Sequence, residues 1–170
     1  MDLLQQAPLT ALFSTPVQAF TGGATTLGST NRFDYCISGF NYTKAAFNAS
    51  ATPTTDVNTG VAFLPVAKGF GCLFSAMLDA SGNLKVAQGQ IQAVDAAGYL
   101  IADPQMPAIP AGYCPISLIG VINAITTASW VFGTNNWTGI SGTTCAIADI
   151  GTYPSRPPTF FSTTMTNLGT

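Results

Sequence analysis

Two near-copies of one turn constrain the fold of this chain more than any other feature of its sequence. The turns are Asp79-Ala-Ser-Gly82 and Asp95-Ala-Ala-Gly98, and they begin sixteen residues apart. An Asp at the start of such a turn accepts hydrogen bonds from the backbone N–H groups that follow, and Gly tolerates the backbone conformation that closes the turn. The apolar runs around the turns are typical of β-strands. The segment therefore predicts a three-stranded antiparallel meander made of "GFGCLFSAML", "NLKVAQGQIQAV" and "YLIADP".

The middle strand of this meander contains a break in its alternation. Leu84 and Val86 share one parity, whereas Ile91 and Ala93 share the other. A slip of one residue moves all later side chains to the opposite face unless a bulge absorbs it, so we predict a β-bulge at Gly89. Three glutamines then share one face, which suits either hydrogen bonds to a neighbouring subunit or plain solvation: Gln88, Gln90 and Gln92.

The rest of the chain also predicts short strands separated by turns. "RFDYCISG", "ISLIGVINAI", "SWVFG" and "CAIADIG" are strand candidates, and "FNYTKAAFNASA" is either a strand or a single helical turn. "TPTTDVNTGVAF" predicts a turn with Asp56, Asn58 and Gly60 at its tip. The four prolines of residues 104–115 predict an extended crossover that is neither central strand nor helix. The expected fold class is mainly β, an antiparallel β-sandwich or jelly-roll-like barrel.

The N-terminal segment differs in composition from the predicted β domain. We expect residues 1–30 to form an arm and linker, because "TGGATTLGST" is rich in Gly and Thr. The β domain then spans residues 31–160, and residues 161–170 are a C-terminal tail. The arm is too apolar for a free solvated tail, so its apolar side chains are candidate partner-binding residues: Leu3, Leu4, Leu9, Leu12, Phe13, Val17 and Phe20.

Charge is scarce along the whole chain. Charged residues make up 7% of the sequence, against about 25% in an ordinary soluble domain. The five Lys and Arg residues are spread singly, which argues against nucleic acid as a partner. A surface so poor in charge predicts self-association, with a homotrimer as the expected state.

Neither a membrane span nor a secretion signal is expected. The run "ISLIGVINAITTASWVF" (residues 116–132) is long and apolar, but it contains several polar residues and lacks flanking Lys or Arg. The first residues of the chain carry Asp2 where a signal peptide carries Lys or Arg.

The inventory of reactive side chains is nearly empty. The chain has no His and no Glu, which excludes the usual catalytic triads and His-based metal sites. We therefore expect no enzyme activity, no cofactor and no metal. The four cysteines are too far apart for a zinc motif, and they are either buried small hydrophobes or, in an oxidising environment, partners in disulfides: Cys36, Cys72, Cys114 and Cys145.

Three aromatic residues near the C-terminal part are candidate interface residues. Trp130 and Trp137 flank "VFGTNN", and Tyr153 follows in the Pro-rich tail. Exposed tryptophans stack on carbohydrate, but Trp is more often a core residue or an interface anchor. A glycan-binding surface is accordingly an alternative to a protein-binding one.

From about residue 33 to residue 158 the chain carries, in this order, the motifs "FDYCISG", "YTKAA", "ATPTTDVNTG", "LDASGNLKVAQGQIQAVDAAGYLIADPQMPAIPAGYCPI", "WVFGTNNW" and "YPSRPP". Through these motifs the chain resembles small virion proteins of tailed bacteriophages. This resemblance implies a capsid decoration (cement) protein that binds and bridges the major capsid protein and stabilises the shell. A fibre or adhesin-type domain that contacts host glycan is the alternative. The resemblance to virion proteins also implies assembly in the host cytoplasm, placement on the capsid surface and reduced cysteines during folding.

Overall fold

A computed structural model describes residues 10–14, 16–21, 25–95, 97, 99–102, 104–124 and 127–150. These residues form eleven β-strands, and none of them lies in a helix. The mainly β prediction is confirmed. The strands are β1 (Ala11–Leu12), β2 (Gln18–Thr21), β3 (Thr26–Ser29), β4 (Phe33–Ile37), β5 (Phe40–Lys44), β6 (Phe47–Ala51), β7 (Phe70–Leu78), β8 (Leu84–Gln88), β9 (Gln92–Ala93), β10 (Cys114–Asn123) and β11 (Thr143–Asp149).

The strands form three antiparallel sheets. The largest has the order β11-β10-β7-β8, and β9 also pairs with β7. The two smaller sheets have the orders β1-β4-β5 and β2-β3-β6. The ambiguous segment of residues 40–51 is thus two strands, one in each small sheet. The finer expectation of a sandwich or a jelly-roll-like barrel stays a prediction.

The predicted meander is right in its first two strands and wrong in its third. β7 pairs with β8 across the first turn, as predicted. Residues 99–102 make one isolated bridge, between Leu100 and Val94, and form no regular strand. "SWVFG" is likewise reduced to one bridge, between Trp130 and Val66. There the side chain of Asn135 accepts the Val131 N–H, which takes that residue out of any ladder.

The predicted bulge at Gly89 is confirmed by the register. Phe74 lies opposite Gln88, and Gly71 lies opposite Gln92. The three residues between β8 and β9, 89–91, therefore face only two residues of β7, 72 and 73. A Cβ on Gly89 would lie 2.9 Å from the backbone oxygens of Leu73 and Gln105. Glycine at this position lets the sheet and the crossover approach each other.

The interpretation of residues 1–30 as an arm and linker is wrong for the part that the structure describes. β1 pairs with β4, and β2-β3 pairs with β6. Leu27 is fully buried, in a stretch whose composition had suggested flexibility. Gly28 explains the error, because a Cβ there would lie 2.9 Å from the backbone oxygen of Asn48. This glycine serves close strand packing. Residues 1–9, 15 and 22–24 lie outside the described residues, as do the last ten residues of the predicted β domain, 151–160, and the predicted tail, 161–170.

The Pro-rich crossover is confirmed over residues 104–113, which contain no strand. Its last two residues, Cys114 and Pro115, belong instead to β10. At Pro115 the strand pairs with β7 alone, because β11 pairs with β10 only from Ser117 onward. The register also shifts between Pro115 and Ser117, so the proline lies at an irregularity where it is tolerated.

The core lies on both faces of the large sheet. One face packs against the small sheets through a cluster of aromatic rings: Phe63, Phe74, Trp130, Phe132 and Trp137. The opposite face carries a smaller cluster that includes Leu73, Leu118, Ile122, Ala146 and Ile150. The large sheet is therefore covered on both faces along most of its length.

Candidate interaction surfaces

The two candidate tryptophans lie in the core. Trp130 is fully buried and Trp137 nearly so. Their indole N–H groups donate to backbone oxygens of Asn136 (3.2 Å) and Thr26 (2.8 Å). Their burial contradicts the prediction that Trp130 and Trp137 are interface residues, and it equally opposes a carbohydrate platform, because both rings are packed inside the domain. Tyr153 lies outside the described residues.

The apolar residues of the N-terminal segment divide between the core and the surface. Leu12 and Phe20 are partly buried and pack against the main core cluster, and the Phe20 ring stacks on Trp137 at 4.3 Å between centroids. Phe13 and Val17 point outward, with 59% and 41% of their surface exposed. Leu3, Leu4 and Leu9 lie outside the described residues. The segment thus presents two apolar side chains from a backbone that belongs to the domain.

A polar cluster fastens this segment to the large sheet. The backbone N–H of Gln18 donates to both carboxylate oxygens of Asp149, at 2.9 and 3.0 Å. The Ser117 hydroxyl donates to the Gln18 side-chain oxygen. Burial raises the pKa of Asp149, and the bond from the Gln18 N–H offsets this only in part. Val17, just before this cluster, has φ of +50°, which turns the chain between β1 and β2.

The first Asp-x-x-Gly turn is held by the small sheet β1-β4-β5. The Tyr35 hydroxyl donates to the backbone oxygen of Asp79 at 3.0 Å, and the Lys44 ammonium donates to the backbone oxygen of Gly82 at 2.8 Å. The Asp79 carboxylate accepts the backbone N–H groups of Ser81 and Asn83 and the Asn83 amide. Burial alone would raise the pKa of Asp79, but these bonds and the charge of Lys85 together lower it.

The second turn has the same local hydrogen bonds as the first, but among the described residues no side chain from another sheet donates to it. The Asp95 carboxylate accepts the backbone N–H groups of Ala97 and Tyr99, at 2.9 and 2.8 Å. Tyr99 and Ile101 are exposed, and no side chain of the described residues donates to this turn as Tyr35 and Lys44 do to the first. The structural interpretation of both aspartates, as turn-forming residues, agrees with these bonds.

A turn from the segment between β6 and β7 covers the outer edge of β8. Asp56 accepts the backbone N–H groups of Asn58 and Thr59, and Gly60 closes the turn with φ of +72°, which confirms the predicted tip. The Asp56 carboxylate also accepts the Gln88 N–H, and the Gln88 side chain bonds both backbone groups of Leu64. Gln88 is therefore engaged within its own chain, contrary to the idea that it bonds a neighbouring subunit.

Several ionisable groups of the described residues make structural hydrogen bonds, as Asp56, Asp79 and Asp95 do in their turns. No set of three Cys or Asp side chains among those residues could hold a metal ion. The four cysteines are free thiols. Burial raises the pKa of Cys72 and of Cys145 to about 12, and that of Cys114 to about 11. These thiols stay protonated at neutral pH and are poor nucleophiles.

Within the described ranges no helix is long and apolar enough to span a membrane. No protein-family model matches the chain, and neither a curated protein nor a solved structure matches it.

Proposed function

We propose that this chain is a non-enzymatic structural protein of a virus particle, most simply a capsid decoration protein that binds and bridges major capsid protein subunits. The observation that carries the proposal is the outward pair Phe13 and Val17. Leu12, Phe20 and Gln18 fasten the same segment to the domain, so the backbone that carries the two exposed side chains is already ordered. Exposed apolar side chains on an ordered backbone suit a contact with another protein, because binding does not have to order the segment.

The magnitude of this contact favours binding in many copies. Burying the exposed parts of Phe13 and Val17 contributes on the order of 2–3 kcal/mol, which is weak for a single site. Because the segment is already folded, binding does not have to order it, but the loss of translational and rotational freedom still opposes a single contact of this size. A shell presents many equivalent sites, so contacts of this size add up over linked copies.

The remaining features are compatible with this role. The buried, protonated thiols suit folding in a reducing host cytoplasm. Self-association of the charge-poor surface is part of the proposal, and the homotrimer stays a prediction. The alternative, a fibre or adhesin-type domain that binds host glycan, has less support because Trp130 and Trp137 are buried.

The proposal is tested on purified virus particles from the source of the sequence. Quantitative mass spectrometry should find this chain in them at a copy number comparable to that of the major capsid protein. Recombinant protein added to particles stripped of it should rebind, and Phe13→Asp should reduce rebinding by about tenfold, because a charge cannot be buried in an apolar contact.

The matched control is Phe40→Asp, which places the same charge at another exposed phenylalanine, 68% accessible, in the β4–β5 hairpin. Rebinding of that variant should equal rebinding of the unchanged protein. Absence of the chain from purified particles would overturn the proposed function.

A further inference from the structure

Four neutral side chains form one exposed surface where the second turn meets the large sheet. Phe70 of β7 lies directly opposite Ala93 of β9. Ile101 lies opposite Ala93 on its other side, because the Ile101 N–H donates to the Ala93 oxygen at 3.1 Å. Directly opposed residues point to the same face, and Tyr99 joins that face by alternation. We name this surface, Phe70, Ala93, Tyr99 and Ile101, the outer hairpin patch.

The opposite face of the same hairpin confirms these directions. Val94 and Leu100 pack against the smaller core cluster. A Cβ on Gly71 would lie 2.9 Å from the Leu100 side chain, so Leu100 lies close against the sheet. Their neighbours in sequence must therefore point away from that cluster. Phe70, Tyr99 and Ile101 have 40%, 38% and 68% of their surface exposed, and Ala93 is exposed too.

The hairpin also presents a backbone edge. Tyr99 and Ile101 direct their backbone groups inward, to Asp95 and Ala93. By alternation, the backbone groups of Leu100 point away from β9. The outer edge of β8, in contrast, is covered by Asp56 and Leu64 of the same chain. An edge with apolar neighbours is a template for pairing with another chain.

The charges beside the patch identify the kind of partner. The Val94 N–H donates to the Gly69 oxygen, and the bond from the Phe70 N–H to the Ala67 oxygen closes a turn there. Lys68 precedes Gly69 in this turn and Asp95 follows Val94, so both charged residues belong to the same end of the patch. Both residues are exposed, and no ion pair joins them within the described residues. Among the residues that the structure describes, the patch thus carries one positive and one negative group at one end and is otherwise neutral. Such a surface is complementary to itself under a two-fold rotation, which brings Lys68 of each copy to Asp95 of the other.

We propose that the outer hairpin patch is a two-fold self-contact, and that its occupant is the same patch on a second copy of this chain. The exposed parts of its side chains amount to roughly 300 Å² per copy, against ~800 Å² per partner in a standard stable interface. The contact is therefore weak in solution and becomes effective when copies are held side by side. It rests on the self-association included in the proposed function, replaces the homotrimer expected there by a two-fold dimer, and uses none of the particle-binding residues.

Sedimentation velocity over low to high micromolar concentration tests this contact. The unchanged protein should shift from monomer to dimer as concentration rises. Ile101→Asp should raise the dimer dissociation constant by about tenfold or more, because each dimer would bury two unpaired charges. Phe40→Asp is the control, since Phe40 is as exposed as Ile101, and it should dimerise like the unchanged protein. Circular dichroism checks that both variants are folded.

Two further variants test the charges. Lys68→Gln and Asp95→Asn should each raise the dissociation constant severalfold, and added salt should weaken the unchanged dimer but hardly either variant. Asp95→Asn keeps a side-chain oxygen for the turn, so its fold should be preserved.

A protein that stays monomeric at every concentration overturns the self-contact, as does a trimer, or equal effects of Ile101→Asp and Phe40→Asp. Glycan binding by the monomer that Ile101→Asp abolishes would assign the patch to another occupant and also overturn it. None of these results bears on particle attachment, which mass spectrometry of particles decides separately.

Discussion

The two Asp-x-x-Gly turns have the same local chemistry and different surroundings. In both, one carboxylate accepts backbone N–H groups two and four residues ahead. The first turn is then clasped by Tyr35 and Lys44 from another sheet. The second leaves Tyr99 and Ile101 exposed. The comparison teaches that turn chemistry fixes the shape of a hairpin, whereas the residues of distant strands decide whether it supports the fold or faces a partner.

The largest expected effect is a difference in the free energy of unfolding between variants of the two tyrosines, one beside each turn. Tyr35→Ala removes a fully buried ring and the bond that clasps Asp79, so it should lower the free energy of unfolding by about 3–5 kcal/mol. Tyr99→Ala removes an exposed ring and should cost less than ~1 kcal/mol. Urea unfolding of both variants measures the difference. Similar losses would show that the two hairpins contribute alike to the fold.

A smaller effect is expected at the aspartates themselves. Asp79→Ala removes three hydrogen bonds in a turn that two sheets share, and it should cost about 1–2 kcal/mol. Asp95→Ala loosens a turn that no other sheet clasps, and the loss should stay local, at about 0.5 kcal/mol of global stability. Thermal unfolding compares the two. A larger loss of stability from Asp95→Ala than from Asp79→Ala would contradict the conclusion that the first turn contributes more to the fold than the second.

The smallest effect is a pH dependence of opposite sign at two carboxylates. The pKa of Asp79 is lowered in the folded protein, so its contribution is present above the unfolded pKa of 3.8 and is lost as pH falls through the folded pKa. The pKa of Asp149 is raised, so stability falls as pH rises from 3.8 through its folded pKa.

Urea midpoints between pH 2 and pH 6 (roughly the range in which carboxyl groups titrate) test both signs. Asp79→Asn should lose less stability than the unchanged protein on acidification. Asp149→Asn should remove the fall in stability that ionisation of Asp149 causes as pH rises. The variant keeps a side-chain oxygen that accepts the Gln18 N–H. Curves of the two variants that shift in the same direction would refute the signs.

The sequence predicted those features that depend on a few neighbouring residues. Turn-forming Asp and Gly residues located both hairpin turns and the tip at Asp56, and a break in parity located the bulge at Gly89. The same local reasoning took Gly28 as a sign of flexibility, although it permits a close approach of β6. Nothing next to Gly28 in sequence indicates that approach.

The candidate site was harder to predict because its parts are distant in sequence. The bond between Gln18 and Asp149 joins residues 131 positions apart, so no local pattern could show which apolar residues of the segment face outward. Alternation along the segment could have predicted that the side chains of Tyr99 and Ile101 share a face. It could not have placed Phe70 in the same row, since that depends on the register between β7 and β9.

The most direct test of the contrast between the hairpins is hydrogen exchange followed at low and at high protein concentration. The amides of residues 79–84 should exchange at the same rate in both, because their own chain protects them. The amides of residues 93–101 should exchange more slowly at high concentration, when a second copy covers them, and Ile101→Asp should abolish the slowing. Equal rates at both concentrations in residues 93–101, or a concentration effect confined to residues 79–84, would contradict the account.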